Sequence, residues 1–401
     1  MFKYFCAIVF FSFTLTASAQ DSDILPSPGF HEVIPYEDVL GKILIPVRIG
    51  DQTFKFMFDT GGRLILSKRV IELCQLTKKG SVNVSGVNKT SSSANIVSVP
   101  LVCIGKLKYQ NFDGIVLDLF DRSPADCYGA DGLIGRDFLK QVIVQMDQEN
   151  LELILTDQLD QLDLSSAAVT PLYIHKRKGN MPNIRVKIND KKTHELTFDS
   201  GSSKLLSLQT KFAQKLLKKK KYKRMAIVLH GVQSLGASGI IPEPHDSYQV
   251  KMDKIQFGEI ILSDFYTDPS LHSRSRIGTG LLDYGIITLD YIHGNFYFKS
   301  NQNSTSIQVK SIATFGFSTS FDNSSLYVSA IQTGSQAEQL GLSIGDQIIS
   351  MNRVRYDSLT PLQYCEYYLR SDEKREYDTM ELSYKTSSGS IKTITIDKTF
   401  K

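Results

Sequence analysis

The chain contains no tryptophan and only five cysteines among its 401 residues. Cys6, Cys74, Cys103, Cys127 and Cys365 form no Cys-x-x-Cys pair and no cluster with histidine, which excludes a zinc ribbon and a disulfide-dense scaffold. Neither charge sign dominates: 46 Lys and Arg against 42 Asp and Glu leave a formal charge of +4, far from a nucleic-acid footprint. Beyond the extreme N-terminus no apolar run approaches the roughly 20 residues of a membrane span. His-Glu-x-x-His is absent, and the Gly-x-Ser-x-Gly string at Gly341 to Gly345 follows a short helix and precedes a strand, the reverse of a nucleophile elbow, so a serine or metallo-hydrolase has no support. Asp118, Asp121, Asp126 and Asp131 lack the tight alternation of a calcium loop and read as loop acids. No metal and no cofactor is expected.

What is present begins at the N-terminus. Lys3 precedes an apolar stretch from Tyr4 to Leu15, followed by Thr16-Ala17-Ser18-Ala19-Gln20. This order of basic, apolar and small residues reads as a removable signal peptide over 1–19, and predicts a periplasmic or extracellular protein. Cys6 then serves as apolar filler. For Cys74, Cys103 and Cys127 two readings stand: one disulfide among the three, or small buried apolar residues. Cys365 is assigned to a different domain.

The main signal is an internal repeat. Ile45 to Gly62 and Ile184 to Ser202 each read as a strand of period two, a Gly-Asp or Asn-Asp turn, and a second strand of period two. Phe54, Phe56 and Phe58 share one face in the first copy, as Leu196 and Phe198 do in the second. The copies end in Asp59-Thr60-Gly61 and Asp199-Ser200-Gly201, their aspartates 140 residues apart. Downstream, Ser85-Gly86-Val87 is echoed by His230-Gly231-Val232, and Gly132-Leu133-Ile134-Gly135 is aligned with Gly278-Thr279-Gly280-Leu281-Leu282. In that alignment Asp283 stands where a closing glycine is expected, and the helix after it is shortened. Each copy closes with a hairpin, through Met146-Asp147 and Leu289-Asp290. Two β-rich lobes are expected, over 20–160 and 161–301.

Paired aspartates carry a definite chemistry. If two carboxylates share one proton, the ionised one takes a proton from a water and the protonated one donates to a carbonyl oxygen. Close like charges oppose joint ionisation, so one proton is retained over a wide range of pH. Glycine permits close approach of the two loops. The hydroxyls of Thr60 and Ser200 are placed to donate into the opposite loop.

These features resemble the aspartic peptidases of the pepsin and retropepsin superfamily over residues 33–300. The resemblance implies a mainly β pepsin-like unit of two retropepsin-like β-barrel lobes, with Asp59 and Asp199 catalytic and Thr60, Gly61, Ser200 and Gly201 supporting the active-site loops. It implies hairpin flaps, with Gly86, Val87, Gly231 and Val232 as candidates, and a bacterial member resembling two fused retropepsin subunits. The function it implies is hydrolysis of a peptide or protein substrate, by a chain acting as a monomer. A non-catalytic peptide-binding scaffold is the alternative.

After a polar stretch at 302–308, read as a linker, Thr314-Phe315-Gly316-Phe317 leads into Gly334-Ser335-Gln336-Ala337 and Gly345-Asp346-Gln347-Ile348, with a helix expected over 361–369. This resembles an α+β PDZ domain over 308–401. The resemblance implies binding of a C-terminal peptide by strand addition, with Phe315, Gly316 and Phe317 forming the carboxylate loop. A domain that only packs on the peptidase is the other reading. The basic run 215–224 reads as a solvated helix end and His230 as a turn or surface residue. The Asn-x-Ser/Thr sites at Asn83, Asn88, Asn303 and Asn323 would be glycan acceptors only in a eukaryote.

Overall fold

The computed structural model describes residues 28–85, 91–117, 125–175, 180–189, 192–219, 226–232, 235–236, 239–240, 245–270, 274–302, 304–311, 313–322, 324–370 and 377–400. The repeat is a pair of matching hairpins. Strands Lys42–Ile49 and Gln52–Asp59 pair with Ile45 opposite Phe56, and strands Pro182–Ile188 and Lys192–Phe198 pair with Ile184 opposite Leu196. The alternation read from the sequence sends Phe54, Phe56 and Phe58, and in the second copy Leu196 and Phe198, into the interior. Burial of this kind contributes roughly 1.5–3 kcal/mol per large apolar side chain.

Each lobe gives three strands to a six-stranded antiparallel sheet that joins them. Its order is His31–Pro35, Glu152–Thr156, Ile143–Asp147, Gly285–Asp290, Asn295–Ser300, Ala168–Ile174. At its centre Val144 lies opposite Leu289, and Gln145 Nε2 donates to Thr288 Oγ1 at 3.0 Å. Asp147 and Asp290 play matching parts, each accepting two backbone N–H groups of the turn that follows it. One continuous apolar cluster fills both lobes.

The polar stretch expected to be a linker is in part a strand. Ser306–Gln308 adds in parallel to Ile260–Tyr266, because Ile307 and Val309 are apolar and bury in the second lobe's core. The C-terminal domain follows. Strands Phe317–Asp322, Ser325–Gln332, Gln347–Met351, Thr379–Lys385 and Ile391–Asp397 pair in that order. The helix Pro361–Leu369 spans the expected residues. Thr360 caps it reciprocally with Gln363, and Pro361 stands at its first turn, where no N–H is needed.

Two contacts seat this domain on both lobes. The second lobe's strand Ala226–Val232 hydrogen-bonds to Ser325–Gln332, with Leu229 opposite Gln332 and His230 opposite Ile331. From the first lobe, Cys127 forms a disulfide with Cys365 on the helix Pro361–Leu369, their Cα atoms 4.9 Å apart. Of the two readings for the first three cysteines, pairing among them is overturned, and Cys127 is no mere apolar residue, because its partner lies in the C-terminal domain. Cys74 and Cys103 are free, and Cys127 packs with the C-terminal domain's core. Tyr128 and Tyr368 hydroxyls meet at 2.8 Å beside the bridge. Among the described residues no helix is long and apolar enough to cross a membrane.

Candidate active site

Asp59 ends the strand Gln52–Asp59, and Asp199 directly follows Lys192–Phe198, so each aspartate leaves a strand whose apolar face is anchored in the core. The loops then cross. Thr60 N–H donates to Ser200 Oγ at 2.9 Å and Ser200 N–H donates to Thr60 Oγ1 at 3.1 Å. The two hydroxyls donate onward across the lobes, Thr60 Oγ1 to Phe198 O at 3.2 Å and Ser200 Oγ to Phe58 O at 2.9 Å. Thr60 and Ser200 are fully buried, where an unmade hydrogen bond costs about 1–3 kcal/mol. Gly61 N–H donates to Asp59 Oδ1 at 2.8 Å and Gly201 N–H to Asp199 Oδ1 at 3.1 Å. A Cβ on Gly201 would lie 2.5 Å from Asp59 Oδ2, which is why only glycine fits there.

The structure thus brings Asp59, Thr60 and Gly61 together with Asp199, Ser200 and Gly201, but the alignment expected behind the second loop does not hold. In the first lobe Gly132–Gly135 pairs in parallel with Phe56 to Asp59, bringing Ile134 opposite Phe58. In the second lobe the residue opposite Phe198 is Ile277, and Asp199 N–H donates to Ile277 O at 2.9 Å. The counterpart of Gly132-Leu133-Ile134-Gly135 is thus Ser275-Arg276-Ile277-Gly278. Gly278 is the closing glycine, and the 3-10 turns of Thr279–Tyr284 correspond to the helical turn Arg136–Phe138. Asp283 is no departure and nothing is shortened: eleven residues separate Gly135 from Met146, and eleven separate Gly278 from Leu289. That spacing was the available signal.

The corrected register reveals cations that the sequence did not single out. Arg276 Nη1 donates to Asp199 Oδ2 in an ion pair whose side chains are 19% and 4% exposed. Lys42 Nζ donates to Gly201 O, and Arg136 Nη1 donates to Gly61 O at 3.3 Å. Burial holds the Lys42 ammonium below its usual range, opposed by the charges of Asp199 and Asp59. Asp59 is raised to about 7, first by desolvation, then by the charge of Asp199 and a hydrogen bond shared with it. The Gly61 N–H and Arg276 act in the opposite sense.

Of the flap candidates, Gly86 and Val87 lie outside the described residues, as do the expected signal peptide and Asp118 and Asp121. Gly231 and Val232 belong to Ala226–Val232. Gly231, at φ +78°, faces the C-terminal domain, where a Cβ would meet Ser329 O and Ile344. His230 bridges the same junction, from Asp246 Oδ1 at 2.7 Å to Thr333 Oγ1 at 3.0 Å.

In the C-terminal domain the Phe315-Gly316-Phe317 loop borders a cavity of about 180 Å³, lined also by Thr319, Tyr367, Met380 and Lys398. Gly316 adopts φ +82° and its carbonyl accepts Gln332 N–H at 2.8 Å. Among the described residues the strand Phe317–Asp322 pairs on one side only. The helix Pro361–Leu369 reaches it through Tyr367, whose hydroxyl lies 2.8 Å from Thr319 Oγ1.

Comparison with known proteins agrees with this architecture. Residues 45–138 match the aspartyl protease family model and residues 299–366 match that of the PDZ domain. Among solved structures the chain is similar to basic 7S globulin from soybean at 12% identity, covering 69% of this chain and 96% of that one, with a TM-score of 0.40. It is also similar to an aspartic proteinase from Irpex lacteus at 11% identity, covering 69% and 99%, with a TM-score of 0.44. No curated protein matches it in sequence. The chain is mainly β, with a bilobal part whose first lobe is aspartyl-protease-like and an α+β PDZ domain, a class of module that binds peptides.

Proposed function

We propose that this chain is an exported aspartic endopeptidase in which Asp59 and Asp199 activate one water for attack on a peptide bond, with the PDZ domain gathering peptide ends beside it. The observation that carries the reading is the reciprocal Thr60–Ser200 crossing, which holds two acid loops from separate lobes face to face. One carboxylate takes a proton from the water as its oxygen attacks the carbonyl carbon, and the other carboxyl donates to the carbonyl oxygen. Collapse of the tetrahedral intermediate breaks the C–N bond as a proton passes to the leaving nitrogen. Desolvation of Asp59 supports the single shared proton that this chemistry needs. Export is supported by the Cys127–Cys365 disulfide, a bond typical of oxidising compartments.

A peptide-library cleavage assay on wild type, Asp59→Asn and Asp199→Asn tests the proposal. Cleavage that disappears in both variants while they remain folded supports it. A folded wild type without cleavage sinks it in favour of a non-catalytic peptide-binding scaffold.

A further inference from the structure

The two lobes repeat each other closely around the acids, yet one pair of counterparts differs in kind. Leu133 and Arg276 both sit on the strand running parallel to the one that leads to the aspartate, opposite Met57 and Thr197 respectively. Leu133 packs with Leu44, Met57, Ile65 and Ala130. Arg276 instead turns its guanidinium onto Asp199. Its backbone is held on two sides, by Thr197 and by Ser207, so the side chain starts from a fixed position. Its Nε is buried and has no hydrogen-bond partner among the described residues.

The acids are consequently unequal in their donors. Asp199 receives the neutral Gly201 N–H on Oδ1 and a guanidinium on Oδ2. Asp59 receives the neutral Gly61 N–H and shares a hydrogen bond with Asp199. Donors and cations favour the ionised form of a carboxyl, and a guanidinium in contact does so most strongly. Other titratable groups face the pair from several elements: Lys42, with Lys204 acting on it in turn, and Arg136 and Tyr291 near Asp59. Lys42 acts on both acids, whereas Arg276 is the cation bonded to one of them.

We propose that Arg276 is a positioning residue that assigns the acids fixed roles, Asp199 the ionised base that takes the water proton and Asp59 the acid that donates to the carbonyl oxygen. This rests on the dyad reading above. In a symmetric pair either acid can carry the proton. Here the resting proton sits on Asp59 and passes to the carbonyl oxygen as Asp199 takes the water proton. Collapse breaks the C–N bond, Asp199 delivers its proton to the leaving nitrogen, and a hydroxyl proton of the intermediate returns to Asp59.

The decisive experiment follows the side-chain carboxyl carbons of 13C-labelled aspartate by NMR through a pH titration of the full chain. Asp59→Asn and Asp199→Asn variants assign the two signals. In wild type Asp199 is expected to stay ionised while Asp59 takes up and releases the proton. In Arg276→Leu, which installs the first lobe's residue, the first protonation of the pair should move up by roughly one to three pH units and be shared between both signals. Arg276→Lys should restore most of the wild-type behaviour. Arg276→Gln, which keeps a donor without the charge, replaces Arg276→Leu if that variant does not fold. In pH profiles of kcat/KM the acidic limb should move up in the same sense. Unchanged Asp199 titration on removal of the charge overturns the assignment, even in an active enzyme. Absence of cleavage overturns the peptidase reading but leaves the titration interpretable.

Discussion

Leu133 and Arg276 each stand two residues before a glycine that closes tightly on its acid loop, Gly135 against Asp59 O and Gly278 against Ser202 O. Both copies have the glycine that the close approach demands, whereas the residue two before it packs among apolar side chains in one and is a cation on Asp199 in the other. Lys42 adds a second crossing of charge: its turn reaches from the first lobe onto the second, where Thr279 Oγ1 donates to Gly41 O at 2.5 Å. The acids thus lie among cations from both lobes.

The pH dependence of stability carries the signature of Asp59. Its carboxyl is raised to about 7 from an ordinary 3.8, so over that window the folded chain binds more protons than the unfolded chain. The stabilisation is complete below the unfolded value and is lost as pH rises through the folded one. Its slope is at most ~1.4 kcal/mol per pH unit. Urea denaturation midpoints should fall across this window in wild type and fall less steeply in Asp59→Asn.

The crossing of Thr60 and Ser200 should behave as a unit. Thr60→Ala removes the acceptor of Ser200 N–H and the donor to Phe198 O. It should destabilise the chain by about 1–3 kcal/mol. Ser200→Ala should cost a similar amount, and the double variant less than both together, because the second change acts on a crossing already broken. Thr60→Ser, which keeps the hydroxyl, should recover most of the loss in equilibrium denaturation.

Cys127 and Cys365 lie 238 residues apart in the chain and tie the first lobe to the PDZ helix. Cys365→Ser should lower stability by about 2–4 kcal/mol. Limited proteolysis should then release the C-terminal domain sooner, and reductant should reproduce the effect in wild type but add nothing in the variant.

Gly231 permits the junction between the second lobe and the PDZ sheet. Its φ of +78° disfavours any side chain, and a Cβ would strike Ser329 O. Gly231→Ala should loosen the pairing of Ala226–Val232 with Ser325–Gln332. Faster amide hydrogen exchange in both strands, with exchange in Gln52–Asp59 unchanged, is the expected pattern.

The amino-acid sequence by itself determined the repeat, the two acid loops, their hydroxyl partners and the outline of the C-terminal domain. These features rest on local rules: period-two burial at Phe54, Phe56 and Phe58, glycine where loops meet, and a capping pair at Thr360 and Gln363. The register of the second lobe was not legible in the same way, because Gly278 and Gly280 both offer a glycine next to apolar residues. Pairing of Ile277 with Phe198 decided the register, and a displacement of the closing position from Asp283 to Gly278 brought Arg276 opposite Thr197, beside Asp199. The disulfide and the junction at Gly231 were equally hidden. Each joins segments remote along the chain, and such contacts depend on how the lobes and the C-terminal domain pack together, which only the tertiary structure decided.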